Sequence, residues 1–192
     1  MTIFLILAPY GAFTALMLLT SAMPSLCVAA SVCLAVIVLD AVRGRSVKLL
    51  GAGGAVVFAG IGSYLALIDP SLSNTTVNLA VDTGVFIIMA GSILVRYPFT
   101  LQYARESVPA EIVAMPGFLR TNYVLTGAWT AASLLMMLSN LATLYVPGLP
   151  IWISMLVAFT ARNSAVYFTK WYPQHRKLKS GMPPGGAEPS AY

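Results

Sequence analysis

LCVAASVCLAVIVLDAVRGR, residues 26–45, joins an apolar run of membrane-spanning length to a basic end. Residues 26–42 contain one charged side chain, Asp40, and Arg43 and Arg45 follow immediately. A helix needs about 20 predominantly apolar residues to cross the hydrocarbon of a bilayer, and arginines beside such a run mark its cytoplasmic end. The segment therefore predicts a transmembrane helix that ends in the cytoplasm.

Further apolar stretches of similar length lie on either side of this run, and together they predict an all-α fold, a polytopic membrane helix bundle of six transmembrane helices. These runs are continuous, whereas the strands of an outer-membrane barrel alternate between apolar and polar residues. Residues 1–172 then form the transmembrane domain, and the Pro- and Gly-rich residues 173–192 form a disordered cytoplasmic tail. The predicted spans cover residues 3–20, 26–42, 49–68, 77–95, 121–145 and 151–171.

The composition of the whole chain fits a membrane protein. Of 192 residues, 58% are hydrophobic and 9% are charged, whereas soluble domains carry about 25% charged residues. The formal net charge of +5 comes from eleven basic residues scattered between apolar runs, so there is no concentrated patch for nucleic acid. The single histidine and the two cysteines do not have the spacing of metal or haem ligands, and we expect no cofactor.

The basic residues predict the topology. With both termini cytoplasmic, ten of the eleven basic residues fall on the cytoplasmic face, and the loops on the opposite face carry none. This distribution follows the positive-inside rule, and it also predicts contacts with anionic lipids at the cytoplasmic face. The ten residues are Arg43, Arg45, Lys48, Arg96, Arg105, Arg120, Lys170, Arg176, Lys177 and Lys179.

Small residues mark one face of the third predicted span. Gly51, Ala55, Ala59 and Ser63 recur at every fourth position. Such a stripe lets helix backbones approach closely in lipid, where packing rather than hydrophobicity drives helix association. We therefore expect this face to contact a neighbouring helix.

Three ionisable residues, Asp40, Asp82 and Arg162, lie within or near predicted spans. A charge at such depth costs roughly 2.5–3.5 kcal/mol on insertion scales, which makes each residue a functional candidate. Arg162 can extend towards the cytoplasm or pair with Asp40, and Asp82, near the outer end of its span, can face water. A structural ion pair plus an interfacial carboxylate is the simplest interpretation. The alternative is a small transporter or channel in which Asp82 and Arg162 line the path.

The segment RYPFTLQYARESVPAEIVAMPGFLR, residues 96–120, is too short and too charged to span the bilayer. Its prolines divide it into short helical pieces, which predicts an interfacial elbow at the cytoplasmic headgroup level. Arg105, Glu106 and Glu111 suggest a lipid-phosphate site, or the acid–base pair of a lipid-modifying membrane enzyme. A solvated elbow that contacts anionic lipid is the simpler interpretation. The candidate functional or lipid-contacting residues here are Arg96, Tyr103, Arg105, Glu106 and Glu111.

Several short motifs occur together in the second half of the chain. They are Arg96-Tyr97-Pro98, Asn122, Trp129, Asn140-Leu141-Ala142, Pro150-Ile151-Trp152 and Tyr172-Pro173-Gln174-His175. With these motifs, residues 96–176 resemble the intracellular septation protein A family. The resemblance implies a multi-pass protein of the bacterial inner (plasma) membrane that supports cell-envelope integrity or septation through contacts with other membrane proteins. It implies no catalytic residues.

Overall fold

The chain is a bundle of α-helices in a computed structural model, which describes residues 2–179 and the side chains of residues 8–115, 117–150 and 152–176. No strand occurs within residues 2–179, so the predicted all-helical class is confirmed. The helices are α1 (Thr2–Leu19), α2 (Ala22–Val42), α3 (Leu49–Leu67), α4 (Asn74–Leu94), α5 (Phe99–Ser107), α6 (Ala110–Val113), α7 (Pro116–Tyr145) and α8 (Ile151–Lys179).

Four of these helices, α2, α3, α4 and α7, are long and apolar enough to cross a membrane, which makes this a multi-pass membrane protein. Among the described side chains of α1, the apolar segment is Ala8–Leu19, which is shorter than a span. Helix α8 carries Arg162 and Asn163 near its middle and a basic end, which lower its mean hydropathy. The full count of six spans stays a prediction.

Several helices extend beyond the predicted spans: α2 begins at Ala22 rather than residue 26, and α4 at Asn74 rather than residue 77. Helix α7 begins at Pro116 rather than residue 121, because proline is well suited to the first turn of a helix. Helix α8 continues through Pro173 to Lys179, so residues 173–179 are helical and not part of a disordered tail. Ring stacking four residues apart, at 5.2 Å for Phe168–Tyr172 and 4.8 Å for Trp171–His175, supports this extension. The rest of the predicted tail, 180–192, lies outside the described residues.

The six long helices pack side by side in the order α1, α2, α3, α4, α7, α8. Arg162 Nη1 of α8 donates a hydrogen bond to Thr14 Oγ1 of α1 at 3.2 Å, which connects the two ends of this row. The turns at 20–21, 68–73 and 146–150 lie together at one end of the bundle, the short-loop end. The opposite end, the elbow end, holds the 43–48 loop and the segment that contains α5 and α6.

Helix α3 packs mainly through a stripe adjacent to the predicted one. Its buried residues are Leu50, Gly54, Phe58, Gly62 and Leu65, whereas Ala59 and Ser63 of the predicted stripe are exposed. The predicted stripe is right in its first half, where Ala55 packs against the core and a β-carbon at Gly51 would lie 4.0 Å from Ile37 of α2, and wrong at Ala59 and Ser63. The face is set by two neighbours together, since α2 packs on one side of α3 and the Tyr10 hydroxyl donates to Leu50 O at 3.0 Å.

Helices α2 and α4 end in the same hydrogen-bonded motif, in which the residue after the cap has a left-handed backbone. At α2 this residue is Gly44 (φ 66°), and Arg45 N donates to Asp40 O at 2.8 Å. At α4 it is Arg96 (φ 58°), and Tyr97 N donates to Ser92 O at 2.9 Å. Glycine adopts this conformation without strain, and arginine does not.

Candidate binding cavity inside the bundle

A cavity of about 680 Å³ lies between α1, α4, α7 and α8, with α5 at its elbow end. Its lining follows α4 from Asn74 to Met89, a length of about 22 Å at 1.5 Å per residue. The hydrocarbon of a bilayer is about 30 Å thick, so the cavity extends along most of that depth. Its volume falls within the roughly 300–1,000 Å³ that ligand pockets occupy.

Asp82 and Arg162 both line this cavity, from α4 and α8 respectively. Asn140 of α7 donates to Asp82 Oδ2 at 2.7 Å, and Arg162 donates to Thr14 of α1. No ion pair within 4.0 Å joins Asp82 and Arg162, two described side chains, so they are not in direct contact. The cavity therefore holds opposite charges that are close enough to interact and are each oriented by a neutral neighbour.

Two further polar atoms of the lining, Asn122 Oδ1 and Ser133 Oγ, are buried without a hydrogen-bond partner. Both residues belong to α7 and are 2% exposed. The amide nitrogen of Asn122 is used, since it donates to Phe118 O at 2.9 Å. An unpaired buried polar atom costs about 1–3 kcal/mol, and most such atoms in proteins have partners. Their position on the cavity wall indicates a polar occupant.

The elbow-end part of the cavity wall is fixed by hydrogen bonds between side chains. Trp129 Nε1 of α7 donates to Thr169 Oγ1 of α8 at 2.9 Å. Thr100 of α5 donates to Asn122 O at 2.9 Å and lies 2.8 Å from the hydroxyl of Thr126. These bonds hold α5, α7 and α8 together where the cavity ends.

The cavity opens sideways between α1 and α8. Leu18 of α1 and Met155 and Phe159 of α8 belong to its lining, yet they are 58%, 46% and 68% exposed. Helix α1 packs mainly against α2, and among the described side chains the Arg162–Thr14 hydrogen bond joins it to α8. In a membrane, this opening faces the lipid tails.

Asp40 pairs with Lys48 and not with Arg162, so the predicted Asp40–Arg162 pair is wrong. Lys48 Nζ lies 3.1 Å from Asp40 Oδ2 and 2.8 Å from Glu106 Oε2, and its side chain is 5% exposed. Helix α2 packs between α1 and α3, whereas α8 packs against α7, which keeps Asp40 away from Arg162. Lys48 was predicted only as a topology signal.

Helix α5 braces the loop between α2 and α3. Glu106 Oε1 accepts a hydrogen bond from Ser46 Oγ at 2.9 Å, and Gln102 Oε1 accepts one from Leu49 N at 2.7 Å at the start of α3. Partial burial alone raises the pKa of Glu106, but hydrogen bonds from Lys48 and Ser46 outweigh it and hold the pKa below its ordinary value. Glu106 is therefore a structural carboxylate.

The predicted acid–base set of the elbow is not assembled. Among the described residues, no hydrogen bond or ion pair joins Arg105, Glu106 and Glu111. The guanidinium of Arg105 lies 5.9 Å from the centre of the Tyr97 ring, and Glu111 is exposed in the first turn of α6. These positions give no support to a lipid-modifying active site built from the three residues.

Tyr103 and Arg96 have separate surroundings. Tyr103 lines the elbow end of the cavity, and the Lys48 ammonium lies 5.7 Å from its ring centre. Burial, together with the negative charge of Asp40, raises the pKa of Tyr103, so its hydroxyl stays protonated. Arg96 is exposed at the end of α4.

Comparison of the chain with known protein families, with curated proteins and with solved structures found no match.

Proposed function

We propose that this chain is a transporter that moves a small molecule through the cavity between α1, α4, α7 and α8. It is a six-span protein of the bacterial inner membrane, with both termini and the elbow end in the cytoplasm. The observation that carries the proposal is that Asp82 and Arg162, eighty positions apart in sequence, line one cavity. Charges in membrane spans are uncommon, and they often mark the path of a substrate or an ion.

The hydrogen-bond partners of the two charges support transport over a purely structural role for these charges. A structural pair would bring the two charges into contact, and here each one instead bonds to a neutral side chain, Asn140 or Thr14. Asn122 and Ser133 continue the polar lining towards the elbow end. A polar molecule therefore meets hydrogen-bonding groups along most of the bundle.

The two other predicted functions lack such an observation. Support of septation or envelope integrity through membrane-protein contacts stays a prediction that rests on the resemblance alone. A lipid-modifying enzyme at the elbow loses its support, because Glu106 is bound to Lys48 and Ser46. Contacts between the basic elbow end and anionic lipids remain part of the proposal.

Access of water to the cavity tests the proposal. In a variant whose native cysteines, Cys27 and Cys33, are replaced by alanine, Ala158→Cys introduces a thiol into the cavity wall of α8. Leu156→Cys is the matched control, because Leu156 lies on the same helix, outside the lining, and is 54% exposed to the surroundings of the bundle.

A membrane-impermeant cationic methanethiosulfonate is added to sealed proteoliposomes from either side. We expect it to modify Ala158→Cys and to leave Leu156→Cys unreacted, because a thiol in lipid stays un-ionised. If Ala158→Cys reacts from neither side of the membrane, a transport cavity is excluded.

Reporter fusions test the proposed topology. A reporter active in the cytoplasm should work when fused after Lys179, and one active only after export should work when fused at Ser73, in the turn before α4. An external reporter signal at Lys179 would show that the span count is odd or the orientation inverted.

A further inference from the structure

We propose that the transported molecule is an amphiphile with a zwitterionic head, a phosphate next to a primary ammonium, as in phosphatidylethanolamine. This inference rests on the proposed function and assigns its ligand class. The ammonium binds Asp82, the phosphate binds Arg162, and the hydrocarbon chain leaves the cavity between α1 and α8.

The two charges define the head. Neither charge has an ion-pair partner within 4.0 Å, and a charge buried in a bundle is costly without such a contact. A ligand that carries both signs satisfies the two residues at once. The carboxylate of Asp82 accepts hydrogen bonds, which favours an ammonium with N–H donors, and the guanidinium of Arg162 matches phosphate oxygens.

Two neutral polar groups of the cavity lining can also bind this head group. Asn122 Oδ1 and Ser133 Oγ are buried in the lining without partners. Both atoms can accept hydrogen bonds, and the serine hydroxyl can also donate one to a phosphate oxygen. They lie on α7 towards the elbow end from Asn140, so they offer the head a second set of contacts farther along the cavity.

The side opening defines the tail. A wholly water-soluble zwitterion needs a path that is closed to lipid, whereas this cavity is bordered by exposed apolar side chains, Leu18 and Phe159. These side chains flank Thr14 and Arg162, four and three positions away on their helices, which places the opening beside the proposed phosphate site. A lateral opening of this kind lets a head enter the bundle while its chain stays in the bilayer.

Binding of lysolipids to the full chain in a non-ionic detergent tests the ligand class. Trp152→Phe and Trp171→Phe leave Trp129, at the cavity wall, as the one tryptophan of the three in the chain. Binding of a lysophosphatidylethanolamine should then change Trp129 emission saturably. Lysophosphatidylglycerol with the same chain carries the phosphate without the ammonium, and it should bind about tenfold more weakly.

Variants of Asp82 and Arg162 test whether these two residues bind the head group. Asp82→Asn and Arg162→Gln should each weaken lysophosphatidylethanolamine binding about tenfold or more. Asp69→Asn, which removes a carboxylate from the 68–73 turn, outside the cavity lining, should not change it. Asp82→Glu keeps the charge and should retain the preference for the ammonium-bearing head.

Three outcomes would overturn the ligand class. The first is equal affinity of the unmodified cavity for the two lysolipids, a comparison that needs no variant of Asp82 or Arg162. The second is unchanged lysophosphatidylethanolamine affinity in Asp82→Asn. The third is binding of free O-phosphoethanolamine as tight as that of the lysolipid, which would remove the need for a tail. If any of these occurs while Ala158→Cys still reacts, the transport cavity stands and only its ligand is misassigned.

Discussion

Tyr10 of α1 lies directly over Gly54 of α3, so that a β-carbon added at Gly54 would be 2.5 Å from the tyrosine hydroxyl oxygen. The same hydroxyl donates to Leu50 O, and the Tyr10 ring packs against Phe58 at 5.5 Å between centres. Because Tyr10 also lines the cavity, this contact sets the position of the α1 wall.

Gly54→Ala should therefore destabilise the bundle. The tyrosine cannot move away without losing its hydrogen bond and its packing, and overpacking of this kind costs about 1–3 kcal/mol. Gly60→Ala, on the same helix with no atom within 4 Å of the added carbon, should be neutral or stabilising. Thermal unfolding in detergent compares the two; equal melting temperatures would show that α1 does not rest on Gly54.

Lys48→Ala should lower the free energy of unfolding by about 3 kcal/mol, because it leaves the buried Asp40 carboxylate without its counter-charge. The double variant Asp40→Asn, Lys48→Met should recover part of this loss, since no buried charge then remains. Arg45→Ala, an exposed neighbour in the same loop, is the control and should have little effect. A loss in Arg45→Ala as large as that in Lys48→Ala would contradict the role of the ion pair.

Acid should weaken the brace between α5 and the 43–48 loop. The pKa of Glu106 lies below its ordinary value of 4.5, so its ion pair stabilises the fold fully above that pH and is lost as the pH falls through the lowered pKa. The difference in melting temperature between the native chain and Glu106→Gln should shrink below about pH 4.5. Glu111→Gln, at an exposed site, should follow the native chain, and a pH-independent effect of Glu106→Gln would argue against this titration.

Arg96→Gly should stabilise the end of α4 by about 1 kcal/mol, because arginine is strained at a φ of 58° and glycine is not. Arg96→Ala removes the same charge but keeps a β-carbon, and it should give no gain. Melting temperatures of the two variants separate backbone strain from charge. A gain of the same size in both would assign the effect to the charge.

The helices were predictable because apolar runs of span length are a strong local signal. The ends of the helices were less predictable. Helix α7 begins before its apolar run, at Pro116, and α8 continues after its apolar run, through Pro173. A span predicted from hydropathy ends where polar residues begin. The helical backbone of α8 continues beyond that point, where stacked rings four residues apart support it.

Asp82 and Arg162 were predictable as candidates, and as the charges of a transport path, because charges stand out in apolar runs, but the helices that enclose that path were not. That enclosure depends on the order of the helices, in which α4 packs on α7 and α8 reaches α1 through Thr14. Hydropathy carries no information on that order. Lys48 was not predicted as a partner of Asp40, because a basic residue beside a span is usually interpreted as a topology signal.

Transport through the cavity is tested most directly by the transbilayer movement of an acyl-labelled fluorescent phosphatidylethanolamine in proteoliposomes. Bleaching of the outer-leaflet label with dithionite measures this movement. The native chain should speed this movement well above that in protein-free vesicles. Asp82→Asn and Arg162→Gln should slow it about tenfold or more, and Asp69→Asn should leave it unchanged. Movement no faster than in empty vesicles, or equally fast in all three variants, would contradict transport through a cavity that uses Asp82 and Arg162.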